Sequence, residues 1–377
     1  MYHHSVIRRF YVHNYRCLEN FDLRMPGQSS VLLIGKNGSG KSTVGFALEI
    51  LQRIARGANR VGDLVKPKDI AQGRTDVPIR FEIEVELESK TYEYSIAFEF
   101  PARFKELRVL EEMLVADGKP VYTRELAEVH LTKPLPEESE AKFFIDWHLV
   151  ALPIIQEQSL KGPLSVFKRW LSRALILRPM PSLIKGESEQ EQGTLEPNVQ
   201  VTNFGAWFLG LLTERPSVYT KIDGYLKQVM PDFADIHNPE ISKNYRSIVT
   251  QFANEQGSIA VNFEDLSDGE KCFMICGLVL AANEVSGSVL CFWDEPDNYL
   301  AVSEVGHFIL ALRKAFQDGG QFIATSHNEE AIRRFSDENT LYLYRKSHLE
   351  PTIMRPIRDL HVNGDLVGAL IRDDLEP

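Results

Sequence analysis

The sequence predicts an α/β fold whose parallel strands carry a phosphate-binding loop, and three stretches predict it. VLLIGKNGSGKST (31–43) is an apolar run that breaks at glycine and resumes as the amphipathic VGFALEILQRIA, which reads as strand, loop and helix. VLCFWDEP (289–296) and QFIATSH (321–327) are unbroken apolar runs that end in polar residues, the pattern of strands covered on both faces.

In the first stretch Gly35, Gly40, Lys41 and Ser42 satisfy G-x-x-x-x-G-K-[ST]. Glycines at such a turn let backbone N–H groups curl around phosphates at a helix N-terminus, so Gly35, Lys36, Asn37, Gly38, Ser39, Gly40, Lys41, Ser42 and Thr43 form the expected cradle for ATP. Lys41 is placed to reach the β- and γ-phosphates and Ser42 to hold Mg²⁺. A glycine-rich turn that binds nothing has no use for a Lys-Ser pair at that point.

Charges at the carboxyl ends of parallel strands lie where such sheets bind ligands. Asp294 is therefore expected to hold Mg²⁺ through water. Glu295, one residue on, is the expected base that polarises water for attack on the γ-phosphate, and His327 is expected to contact that phosphate from the neighbouring strand. Residues 266–271, LSDGEK, precede the apolar segment CFMICGLVLAANEV, and Ser267 and Asp268 are residue types that cap helices.

GKNGSGKS, LSDGEK, VLCFWDEPDN and ATSH, in that order, resemble the motifs of the ABC-type ATPases. The resemblance implies a P-loop NTPase head with a mixed central sheet. It also implies that LSDGEK is the signature motif, whose Ser267, Gly269 and Glu270 complete the nucleotide site of a second chain, so that two chains paired head to tail enclose two ATP molecules. By the same resemblance Asp297 and Asn298 lie in the loop between the two sites, and Arg16 in NYRC matches a basic position near the nucleotide. Gln72 in DIAQGRTD is matched to the family's metal-side glutamine, with Gln156 and Gln158 as other candidates. Two departures stand out: Asp268 replaces the small residue usual in transporter signatures, and Trp293 puts a bulky ring directly before Asp294.

The stretch between Ser42 and Leu266 is longer than the helical insert of transporter ATPases. IRRFYVHNYRCLENFDLRMPGQSSVLLIGKNGSGKS is instead similar to the opening of the RecF, SMC and OLD-like branch. SMC proteins carry long coiled-coil arms between their two halves, but residues 101–260 show no sustained heptads and contain twelve prolines from Pro101 to Pro239. Each proline costs a helix interior about 3 kcal/mol, which excludes an arm and leaves short helices and loops. The residues after His327 are too few for the nuclease domain of OLD-family enzymes. What remains resembles the ATPase subunits of anti-phage systems such as Septu and PARIS, and that resemblance implies a separate effector protein as partner.

The expected division is 1–100 and 246–345 as the two halves of the ATPase, 101–245 as a mostly helical insertion, and 346–377 as an extension. NFGAWFLGLL and VYTKIDGYLKQVM have apolar residues at helical spacing, and GESEQEQGTLEP reads as a loop. Residues 161–185 hold Lys161, Lys168, Arg169, Arg173, Arg178 and Lys185 without an acidic residue, interleaved with Phe167 and Trp170, so a nucleic acid or an acidic protein is a further expected partner. The net charge of -11 confines any such contact to a local patch. Four cysteines without C-x-x-C spacing, the lack of a signal-peptide run and the lack of a membrane span suit a cytoplasmic protein. Two rival functions share these features: a RecF-like DNA-repair ATPase, and a scaffold gated by nucleotide in which hydrolysis is incidental.

Overall fold

The computed structural model describes residues 5–132, 141–189, 193–360 and 368–369. Its central six-stranded sheet runs, from one edge, Leu175–Leu177, Leu290–Trp293, Gln321–Thr325, Ser30–Ile34, Thr340–Tyr344 and Ile353–Pro356. The first five strands are parallel and the last is antiparallel, which makes the sheet mixed, as expected. Registers such as Leu177↔Trp293, Trp293↔Ala324 and Thr325↔Leu33 align the carboxyl ends. The residues that follow those ends therefore share one edge.

The apolar runs have no polar alternation because both faces of this sheet are covered. Val31, Leu33, Phe292 and Ile323 face a core shared with the phosphate-loop helix Lys41–Ala55, while Leu32, Ile34, Trp293 and Ala324 face a second core built on the helices Asp268–Ser286 and Val302–Gln317. Trp293 accordingly points away from the phosphate loop, its ring 5.5 Å from that of Phe308 at 75°. On the opposite face the phosphate-loop helix sits so close to Phe292 that a Cβ at Gly45 would come within 2.4 Å of the ring.

An eight-stranded antiparallel sheet covers the first core, in the order Phe21–Arg24, Val6–His13, Ile79–Leu87, Lys90–Glu99, Arg108–Ala116, Lys119–Glu125, Glu128–Leu131 and Ala141–Phe144. Four of these strands lie in the stretch expected to be mostly helical, and that expectation is corrected. RVLEEMLVA and KPVYTRE place Glu112 with Leu114 and Tyr122 with Arg124 inward at sheet spacing, and Pro120 stands at a register shift, where a strand tolerates a missing N–H. Leu175–Leu177, also from the insertion, completes the central sheet beside the Asp294 strand. The insertion's helices are Pro163–Ser172, Phe204–Glu214 and Tyr219–Val229, the last two where apolar spacing places them. Among the described residues the longest helix is Asp268–Ser286, so no coiled-coil arm leaves the head. Glu187–Glu189 is a short strand inside the expected loop 186–197, whose residues 190–192 lie outside the described residues, as does most of the extension after residue 360.

Glu112 joins the antiparallel sheet to the segment that follows it, from within the core. It is 1% exposed, and its carboxylate accepts hydrogen bonds from the hydroxyls of Tyr94 (3.0 Å) and Tyr122 (2.8 Å) and from the backbone N–H groups of Ala151 (2.7 Å) and Leu152 (2.9 Å). Arg124, equally buried, lies 3.5 Å away. Burial, reinforced by the Glu112 charge, pushes both phenols well above their ordinary value near 10. A folded-state pKa above the unfolded one contributes stability that is complete below about pH 10 and is lost as pH rises further. In an alkaline titration followed by tyrosinate absorbance, these two phenols, like that of buried Tyr225, are expected to ionise only together with loss of structure; early, reversible ionisation of every tyrosine would contradict this burial.

Candidate nucleotide site

The phosphate loop is shaped by two close approaches. A Cβ at Gly35 (φ +148°) would lie 2.1 Å from the carbonyl oxygen of Leu343, and one at Gly40 (φ +101°) would lie 2.6 Å from Thr352 Oγ1. Only glycine fits either position, and at Gly40 the positive φ turns the chain into the helix Lys41–Ala55 without a side-chain cap. The first turn of that helix is left open to an anion.

A cavity of about 400 Å³ opens over this turn, lined by Arg16, Cys17, residues 37–43, Glu295 and Arg345. Lys41 is 6% exposed, and its ammonium donates to the carbonyl oxygens of Gly35 (2.7 Å) and Lys36 (3.3 Å). Burial lowers its pKa, against the opposing pull of Glu295 and Asp294. Ser39 Oγ is buried with no hydrogen-bond partner. A buried cation answered mainly by carbonyls, an orphan hydroxyl and an uncapped helix start fit a polyphosphate, and Ser42 with Asp294 supplies the hard oxygen ligands that suit Mg²⁺.

The acidic pair is built on the adjacent strand end. Asp294 is held from both sides: its N–H donates to Leu177 O (2.8 Å), and its Oδ1 accepts from the Thr325 hydroxyl (2.6 Å), which itself accepts from the Glu295 N–H (2.9 Å). Glu295 adopts φ +52°, uncommon for a side-chain-bearing residue. One carboxylate oxygen of Glu295 lies 2.9 Å from His327 Nε2, and the other accepts from Asn298 Nδ2. His327 thus touches the expected base directly. Asp297 is buried, with Oδ2 accepting from the Ser326 hydroxyl (2.9 Å) and Oδ1 unpartnered, and burial pushes its carboxyl upward.

Arg16 lines the cavity as expected, with Nε 3.0 Å from Asp69 Oδ1 and its guanidinium 4.5 Å from the centre of the Phe46 ring. Gln72 does not line it: exposed and at φ +52°, it donates to the carbonyl of Leu349. Gln156 and Gln158 are exposed in the loop before Pro163–Ser172 and also lie off the cavity lining. Ser267, Gly269 and Glu270 do not line it either. Ser267 caps the helix Asp268–Ser286 reciprocally, with Oγ accepting from the Glu270 N–H (3.3 Å) while the Glu270 carboxylate accepts from the Ser267 N–H and hydroxyl (2.7 Å each). A Cβ at Gly269 would lie 3.1 Å from Tyr299 O, so this turn rests on the loop that carries Asp297 and Asn298.

Sequence reasoning missed Arg345, Thr325 and Thr352. The available signal was TLYLYR, an apolar run that ends in a charge like the strands already recognised. The aromatic residues of the basic stretch were also misread, because Phe167 and Trp170 are core residues. Arg169 and Arg173 line a separate cavity of about 1120 Å³, together with Arg215, Lys221 and Lys314. That groove touches Val289 and Gly319, before the strands, and so lies at the sheet edge opposite the phosphate loop.

A family profile described as "AAA domain, putative AbiEii toxin, Type IV TA system" matches residues 30–333. Over 80 residues, 21% of the chain, the sequence is 36% identical to the Chromosome partition protein Smc of Chlorobaculum tepidum, and the match spans 7% of that protein's length. In fold the chain resembles an SmcHead solved bound to the C-winged helix domain of ScpA (TM-score 0.54, 12% identity, covering 93% of this chain and 97% of that one). It also resembles the Smc head domain with an extended coiled coil bound to the C-terminal domain of ScpA derived from Pyrococcus furiosus (TM-score 0.51, 11% identity, 94% and 97%). Among the described residues no helix is long and apolar enough to cross a membrane. The profile match covers most of the chain, which therefore belongs to this AAA-domain family and has the fold of an SMC head.

Proposed function

We propose that the chain is a Mg²⁺-dependent ATPase that pairs head to tail with a second copy around two ATP molecules, and that this pairing controls a separate nuclease or toxin in bacterial anti-phage defence. The observation that carries the reading is a division of parts. The cavity over the phosphate loop holds the cradle, Lys41 and Glu295, whereas Ser267 and Gly269 stand at the start of a 19-residue helix away from it, where a second chain can reach them. The toxin–antitoxin description of the family supports the defence setting, and a head without an arm among the described residues supports a separate effector.

Bound Mg-ATP supplies the phosphoryl group and the neutralising metal, with Ser42 and Asp294 as the residues that would hold the ion. The cradle orients the phosphates and Lys41 offsets their charge. Glu295 takes the proton of the attacking water, with His327 and Asn298 fixing its two oxygens and Thr325 fixing its backbone. Charge stabilisation supplied by a second chain in phosphoryl transfer contributes about 10³-fold or more, so a lone chain is expected to hydrolyse slowly.

Light scattering tests the pairing. With Mg-ATP the mass of the wild-type chain, or of Glu295→Gln if turnover is fast, is expected to double, while Lys41→Ala and Ser267→Arg stay at the starting mass. Ser267→Arg also removes a helix cap, at about 1 kcal/mol, so its fold is checked by thermal melting. An unchanged mass for Glu295→Gln in saturating Mg-ATP rules out the paired arrangement.

A further inference from the structure

The phosphate loop has two neighbours in the central sheet, and they differ in chemistry. On one side Gln321–Thr325 leads to His327, with Asp294 and Glu295 on the next strand, so the hydrolytic groups and the γ-phosphate belong to that side. On the other side Thr340–Tyr344 ends at Arg345, which also lines the cavity. Arg345 is half-buried, and two carbonyls of its own loop hold its guanidinium, Glu350 O from Nε (2.7 Å) and His348 O from Nη2 (2.6 Å). Among the described residues no carboxylate pairs with it, whereas Arg16, which also lines the cavity, is paired with Asp69. A guanidinium held rigid, left uncompensated and set at the rim of a phosphate cradle is an anion site in waiting.

The loop that carries Arg345 is fastened to the cradle. Thr352 donates its N–H to Cys17 O (2.8 Å) and its hydroxyl to Ser39 O (2.9 Å), and Gln72 reaches the same loop at Leu349 O. These contacts stop the loop from swinging clear of the cavity. They also explain why Gln72 lies off the cavity lining: it latches the loop that carries the arginine.

We propose that Arg345 binds a non-terminal phosphate of a nucleoside di- or triphosphate, on the side of the cradle away from Glu295 and His327, and that Gln72 positions it. The assignment rests on the nucleotide reading above. A charged hydrogen bond of this kind supports about tenfold or more in affinity, and because it leaves the γ-phosphate alone it acts on ATP and ADP equally. Calorimetric titration of the full chain with each nucleotide provides the test. Arg345→Ala and Arg345→Gln are both expected to weaken ATP and ADP by the same factor, about tenfold, and Gln72→Ala to weaken both by less. Glutamine can still bond the loop carbonyls, so undiminished binding by Arg345→Gln beside a loss in Arg345→Ala would reduce Arg345 to a loop brace and overturn the proposal. A loss confined to ATP would also overturn it, by moving the arginine to the γ side. If the wild-type chain binds neither nucleotide, the nucleotide reading itself falls and takes this assignment with it; if it binds both and the variants match it, only the assignment falls.

Discussion

Glu295→Gln is expected to lower ATP hydrolysis by about 10²–10⁴-fold, the usual contribution of a positioned general base, while nucleotide binding persists. The structure accounts for both halves of that result. Glu295 is held by His327, Asn298 and the Thr325 hydroxyl, and an amide of the same shape keeps the contact with His327 in one of its tautomers. Lys41 and the cradle are untouched, and with one carboxylate gone they face less negative charge. The variant is therefore expected to accumulate with ATP bound. Steady-state phosphate release, read beside the mass in solution, checks both points, and hydrolysis within a few-fold of wild type would remove Glu295 from its role as base. A third measurement separates two accounts of output: if the variant abolishes turnover yet still controls the effector, the protein works as a nucleotide-gated scaffold.

Glu112→Ala is expected to be the most damaging substitution outside the nucleotide site, at about 3–5 kcal/mol. Removing the carboxylate leaves Arg124 buried without its counter-charge, and it leaves two phenol hydroxyls and the N–H groups of Ala151 and Leu152 without their acceptor. The loss is to a shared hub, so it does not divide into independent bonds. Removing Arg124 as well relieves the uncompensated charge, and the double variant is expected to fall well short of the sum of the two single losses. Chemical denaturation of the three variants measures this. Strictly additive losses, or a single-variant loss under 1 kcal/mol, would show that the hub is not coupled.

Much of the candidate nucleotide site is legible in the sequence because its chemistry is local. Gly35, Gly40, Lys41 and Ser42 declare a phosphate loop through residue type and spacing, and Asp294, Glu295 and His327 declare themselves by ending strands too apolar to be exposed. The partners that set geometry were less legible. Thr352 and Arg345 are meaningful only once Thr340–Tyr344 is known to lie beside Ser30–Ile34, a pairing across some three hundred residues that no local pattern encodes. The insertion was misread for a related reason. Proline ruled out a long helix there, but it did not distinguish short helices from strands that alternate around Leu114 and Tyr122. Leu175–Leu177 is three residues long, too short to show any period, and only its fit beside the Asp294 strand makes it part of the central sheet.

The same distant pairing sets an order in time during synthesis. Ser30–Ile34 leaves the ribosome long before its two neighbours, Gln321–Thr325 and Thr340–Tyr344, and the bond from Thr352 to Ser39 spans 313 positions. At about 5–20 residues per second, the phosphate loop waits roughly 15–60 s between its own translation and the arrival of the strands that shape it. Throughout that interval VLLI is a naked strand with two open edges, the kind of segment that aggregates unless it is sheltered. The phosphate loop therefore stays unshaped until translation has passed Thr352, and premature termination anywhere before that residue leaves a product that is sticky and lacks a finished cradle.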